Sequence, residues 1–85
     1  MRAVYPAVFR AESVGGYSVI FPDLDGCVTE GDDLAQVLSM AQEALGLYLV
    51  ALEENKQDIP VASDIDTIQS EQGEFVSLVM VEVNK

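Results

Sequence analysis

One segment limits the folds open to this chain more than any other: from Leu34 to about Glu53 the apolar residues recur at helical spacing. Leu34, Val37, Leu38, Ala41, Ala44, Leu45, Tyr48, Ala51 and Leu52 fall on one broad stripe, the pattern of a helix that lays one face on a core. In a chain of 85 residues that leaves room for one domain, residues 1–85, built around this helix. A core so small is marginal by itself, so a homodimer, a higher oligomer or a bound partner is expected. Met40, Leu47 and Val50 lie off the stripe. They are candidate dimer contacts, or else the margin of the stripe.

The rest of the chain reads as strands. From Arg2 to Ala11 the sequence alternates, with Ala3, Tyr5, Ala7 and Phe9 on one face and Val4, Pro6, Val8 and Arg10 on the other. Pro6 donates no backbone hydrogen bond, which suits an edge strand or a bulge better than a central position. Gly15-Gly16 marks a turn and Tyr17 to Phe21 a second strand, so the two form an antiparallel hairpin. Pro22-Asp23-Leu24-Asp25-Gly26 has turn chemistry, and Cys27-Val28-Thr29 is a short third strand that Gly31-Asp32-Asp33 ends. Asp32 or Asp33 caps the helix, and Asp33 with Gln36 resembles a capping box. Asn55 to Gln72 is polar, an extended loop tacked down by isolated apolar residues around Ile59-Pro60-Val61 and Ile65. Phe75 to Val83 is apolar on both faces and reads as a largely buried fourth strand. Phe75 and Tyr48 are assigned to the core, and Tyr5, Phe9, Tyr17 and Phe21 to the core or a partner-facing surface. The order β-β-β-α-β makes an α+β domain, a sheet with one main helix packed on one face.

Charge and side-chain chemistry then exclude several functions. Lys and Arg total 4 against 15 Asp and Glu, a net charge of −11. Such a surface repels a phosphate backbone, so no nucleic acid is expected to bind this chain, whereas a basic protein would be steered toward it. There is no histidine and one cysteine, Cys27, which rules out a Ser-His-Asp triad, a Cys-His pair and Cys/His metal sites. Cys27 reads as a buried inert thiol. No signal peptide pattern is visible and no apolar run looks long enough to span a bilayer, so a cytoplasmic location and no membrane contact are expected.

At this point the residues resemble a known family. Tyr5-Pro6-Ala7-Val8-Phe9, then Gly16-Tyr17-Ser18-Val19-Ile20-Phe21-Pro22-Asp23-Leu24-Asp25-Gly26-Cys27-Val28-Thr29-Glu30-Gly31-Asp32, is similar to the HicB-like antitoxins. That family shows a tyrosine-proline start, an "FPDLPG" turn, a "T-x-G-D" lead-in and an alanine/leucine-rich helix. Asp25 stands where proline is commonest. Ile59-Pro60 followed by Ser63 resembles the "IPxPS" loop, with Ala62 in place of its proline. The resemblance implies a partial RNase H-like fold and an antitoxin, not an enzyme, that binds and occludes a small basic HicA-like ribonuclease toxin without a cofactor. Many members carry a C-terminal DNA-binding domain. This chain stops at Asn84-Lys85, and that domain is expected to be absent from it.

Asp23, Asp25, Glu30, Asp32 and Asp33 are the candidate partner-binding residues, as acids able to meet a basic toxin. Two other readings stay open. Clustered carboxylates could hold divalent ions for hydrolysis, although turn formation and helix capping already account for most of them. The domain could also be a stand-alone dimeric scaffold or ligand sensor. In the antitoxin reading an apolar patch carries most of the affinity and rim acids raise the association rate.

Overall fold

The computed structural model describes residues 1–83. Asn84 and Lys85, where the sequence reading ends the domain, lie outside the described residues. Along the chain come β1 (Arg2–Ala11), β2 (Tyr17–Ile20), β3 (Val28–Gly31), α1 (Leu34–Glu54), a 3-10 turn (Ile65–Thr67) and β4 (Glu74–Glu82). The strands form one antiparallel sheet in the order β3-β2-β1-β4, with α1 across one face. The α+β class and the β-β-β-α-β order are those expected from the sequence.

Alternation along β1 decides which face is the core. Tyr5, Ala7 and Phe9 are buried toward α1. Across the ladders Phe9 pairs with Val19 on one side and Phe75 on the other, and the two phenylalanine rings stack at 4.9 Å. Phe21 and Leu24, both about 1% exposed, close the core at the β2–β3 turn. Each such side chain contributes about 1.5–3 kcal/mol on burial. The turn holds its shape through amides of Leu24 and Cys27 that donate to the carbonyls of Phe21 and Leu24. Gly26 takes a left-handed φ of 77° there.

The helix begins as its sequence suggests. Asp33 is the N-cap, its carboxylate accepting from the Gln36 amide at 2.8 Å. The Gln36 side chain reaches back to the amide of Asp32 rather than to that of the cap itself. Val37, Ala41, Leu45 and Leu49 are fully buried on the sheet, with Ala44, Tyr48 and Leu52 partly so. Leu34 and Leu38 stay 42% exposed. What permits the close approach is Gly31: a Cβ built there would lie 2.6 Å from the Val37 amide nitrogen. Gly16 stands in the same relation to the Gly31 carbonyl, at 2.8 Å. At the other end the Gln57 amide donates to Leu52 and the Lys56 amide to Glu53, with Lys56 at φ 55°. This is the left-handed helix stop that usually takes glycine.

Several expectations need correcting. β3 runs to Gly31, and Cys27 lies just before it. β1 is central rather than an edge. Its ladder with β2 begins only at Val8, so Pro6 has a strand on one side alone and costs β2 no bond. β4 is not largely buried: it is an edge strand in which only Val79 is fully covered, and Phe75 is 41% exposed. By length and composition α1 is apolar enough to cross a membrane, contrary to the sequence reading. Here its stripe lies on the sheet.

The connection from residue 55 to residue 72 returns along the length of the sheet. Ile59 packs on the core, whereas Val61 is 90% exposed. Polar clips do the rest. The Tyr5 hydroxyl donates to the Pro60 carbonyl, and the Asp23 carboxylate accepts from the Ser63 amide and hydroxyl. The 3-10 turn lies against β4. On the sheet face turned from α1, Pro6 is buried and Val8 and Val76 are half-buried.

Two substitutions test this account by urea unfolding. Gly31→Ala, which sets a methyl against the backbone of α1, is expected to destabilise the fold by about 1–3 kcal/mol. Lys56→Gly, which relieves the left-handed residue, is expected to stabilise it by about 0.5–1 kcal/mol.

Candidate partner-binding surface

Reactive chemistry is sparse in this molecule. Burial pushes the Cys27 thiol pKa up, and the thiol points to the Ala44 carbonyl at 3.8 Å. Among the described residues no three of Asp, Glu, Cys and His come together in a way that would hold a metal ion. The Tyr5 hydroxyl, its pKa raised by burial and then by nearby Asp23, is committed to the Pro60 carbonyl.

The five acids singled out from the sequence do not converge. They straddle β3. Asp23 and Asp25 occupy the turn before it, Glu30 lies on the strand, and Asp32 and Asp33 follow it. Asp23 is half-buried with both carboxylate oxygens engaged by Ser63, and Asp33 caps α1. Those two are structural parts. The Asp25, Glu30 and Asp32 side chains are exposed, and Asp25 is engaged through its backbone carbonyl, which accepts from the Tyr48 hydroxyl at 2.8 Å.

What lies beside the exposed acids is apolar. On the face turned from α1, β2 and β3 present Ile20 and Val28, directly paired and 52% and 59% exposed. With Met40, which reaches the same edge from α1, they line a hollow of about 670 Å³. Ser18 and Glu30, the next pair on this face of the ladder, border it and also border a second hollow of about 490 Å³. The second contains Glu12, Asp32 and Gln36, and Glu12 accepts from the Ser18 hydroxyl at 2.8 Å. The edge of the sheet at β3 is therefore one surface, apolar around Ile20, Val28 and Met40 and acidic around Glu12, Glu30 and Asp32. Reading the sequence missed Glu12, Ile20 and Val28. The signal was present, since alternation along β2 puts Ser18 and Ile20 opposite the core residues Val19 and Phe21.

The three candidate dimer residues also separate. Met40 belongs to the β3 edge, whereas Leu47 and Val50 border a hollow of about 300 Å³ beside β4. The opposite edge differs in charge as well. There Arg2 pairs with Glu82 at 3.2 Å and Arg10 with Glu74 at 2.7 Å. The Glu71 amide and then Arg10 hold the Glu74 carboxyl pKa below its usual value.

Comparison with known proteins places this architecture. The chain matches the model of the HicB-like antitoxins of bacterial toxin–antitoxin systems over residues 5–85. It is 36% identical over 59 residues to antitoxin HicB 2 of Photorhabdus laumondii, covering 69% of this chain and 42% of that protein. The chain spans about half the length, or less, of the first curated relatives it matches. Among solved structures, a toxin–antitoxin complex from Streptococcus pneumoniae contains a chain with a TM-score of 0.85 and 26% identity. That match covers 96% of this chain and 70% of the other. A HicA3 and HicB3 toxin–antitoxin complex gives a TM-score of 0.73 and 27% identity over 98% of this chain and all of the other. With the family model matched across nearly every residue, the chain belongs to the HicB-like antitoxin family.

Proposed function

We propose that this domain is a toxin-neutralising module, which binds a small basic toxin of the HicA kind and covers its working surface. The observation that carries the reading is the β3 edge, where an exposed apolar hollow runs into a cluster of carboxylates. In such an arrangement the desolvated centre supplies most of the affinity and the charged rim steers the encounter. Asp25, Glu30 and Asp32, with Glu12, are the steering residues. Ile20, Val28 and Met40 are the anchor. Likeness to chains from two toxin–antitoxin complexes supports the partner class.

The domain acts by occlusion rather than by catalysis. Its acids serve as caps, clips and rim charges, and its one thiol is buried. A net charge of −11 favours a cationic protein over a nucleic acid. The setting that fits this role is the cytoplasm, where the toxin's messenger RNA substrate lies.

The test uses a small basic toxin of the HicA kind, its RNA cleavage followed as the antitoxin is titrated in. Stoichiometric inhibition is expected, and cleavage that continues unchanged would sink the proposal. Lysine at Asp25, Glu30 and Asp32 together is expected to slow association by about tenfold or more at low salt. Stopped-flow binding at several ionic strengths measures this. If the triple variant keeps the natural rate, the toxin docks elsewhere.

A further inference from the structure

β3 forms one edge of the sheet, and its ladder with β2 decides which of its backbone groups point outward. The Phe21 amide donates to the Cys27 carbonyl at 3.1 Å, so that pair faces inward. In an antiparallel ladder such pairs alternate with pairs whose backbone groups point away from each other. The register then makes Val19 with Thr29 the next inward pair, and it turns the amides and carbonyls of Val28 and Glu30 away from β2. Two residues on, the Asp32 amide is outward as well, and it donates to the Gln36 side chain. At the other end the chain turns at Gly26, with φ 77°. Val28 to Glu30 is thus a short window of outward backbone, closed at both ends.

The hollow around this window suits an added strand. Ile20 and Val28 line it from the face turned from α1 and Met40 from the helix side, so it wraps the edge instead of lying on one face. A strand laid here sends alternate side chains to the two sides. The residue across from Val28 joins Ile20 and Val28, the residue across from Glu30 meets that carboxylate, and the residue between them turns toward Thr29 and Met40. Glu12 and Asp32 stand near Glu30 in the adjoining hollow. Among the described residues no lysine or arginine lines either hollow. Like charges set directly across a ladder repel, which disfavours an acidic strand at Glu30 and favours a basic one.

We propose that β3 holds the toxin by strand addition: an extended segment of the basic partner pairs with the Val28–Glu30 edge and continues the sheet. That segment carries an apolar residue across from Val28, lysine or arginine across from Glu30, and an apolar residue between them. The proposal rests on the antitoxin reading and deepens it, because it adds backbone pairing to the apolar anchor and the rim charges. Pairing also supplies specificity. A slip of one residue would turn every side chain of the added strand to the other side, so the cation reaches Glu30 only when the apolar residue lies on Val28.

The experiment compares two substitutions at one position, using the 85-residue chain and a small basic toxin of the HicA kind. Val28→Ala trims the side chain and keeps the outward amide. Val28→Pro removes the amide as well, at the first residue of an edge strand, where proline is tolerated. By titration calorimetry the proline variant is expected to bind about tenfold or more weakly than the alanine variant, with the helical circular dichroism of both free chains unchanged. In the natural complex, amide exchange at Val28 and Glu30 is expected to slow on toxin binding, while that of Thr29, already paired with β2, changes little. If the proline variant fails to fold, exchange in the natural complex decides. Equal affinities for the two variants would overturn the proposal, and so would Val28 and Glu30 amides that stay fast in the complex. Slowing that appears in the chain alone as its concentration rises would give the edge to a second copy and overturn it too. In each of these cases a natural chain that still stops RNA cleavage leaves the antitoxin reading standing, whereas a toxin it does not inhibit sinks both.

Discussion

The closest constraint in this fold is a contact between backbones. The Gly31 Cα sits so near the first turn of α1 that a methyl group would overlap the Val37 amide and Cα. Gly16 presses on the Gly31 carbonyl in the same fashion, which stacks hairpin turn, third strand and helix start without side chains between them. The position of the helix follows from this. With α1 seated at Gly31 and capped by Asp33 two residues on, its stripe comes down on Tyr5, Phe9, Val19 and Phe21, and the core closes. The acids at the β3 edge take their places from the same contact, since Asp32 lies between the strand end and the cap.

Much of this architecture is legible in the sequence because its signals are local. Gly15-Gly16 marks the hairpin, Asp33 with Gln36 marks the helix start, and the three-four spacing of Val37, Ala41, Leu45 and Leu49 marks the buried face. What was not legible depends on strand order, which no local signal carries. Pro6 argues for an edge only if its strand is fully paired on both sides, and β2 turns out to be too short to reach it. The apolar pattern on both faces of β4 resembles burial, but a single helix covers one face and β4 has a neighbour on one side only. The candidate acids follow the same rule. Their closeness in sequence does not survive a β-strand, which carries Asp25 and Asp32 to opposite ends of β3, while Glu12 arrives from the hairpin.

The sheet thereby acquires two unlike edges. At β3 the strand is short, the acids outnumber the cations, and the apolar residues lie in a hollow. At β4 the strand is long, each flanking glutamate has an arginine, and the apolar residues lie along a line.

Pairing of β1 with β4 has a consequence for how the chain reaches this state. Arg2 meets Glu82, so the central strand waits for residues 80 positions further on before its second ladder can close. The hairpin of β1 and β2 and the helix can form from neighbouring residues, but the loop joining them to β4 must be closed at an entropic cost. A topology of this kind folds slowly for its size. On a ribosome, the sheet would remain half-made until β4 has emerged, with Val4, Pro6 and Phe9 uncovered along one flank until then.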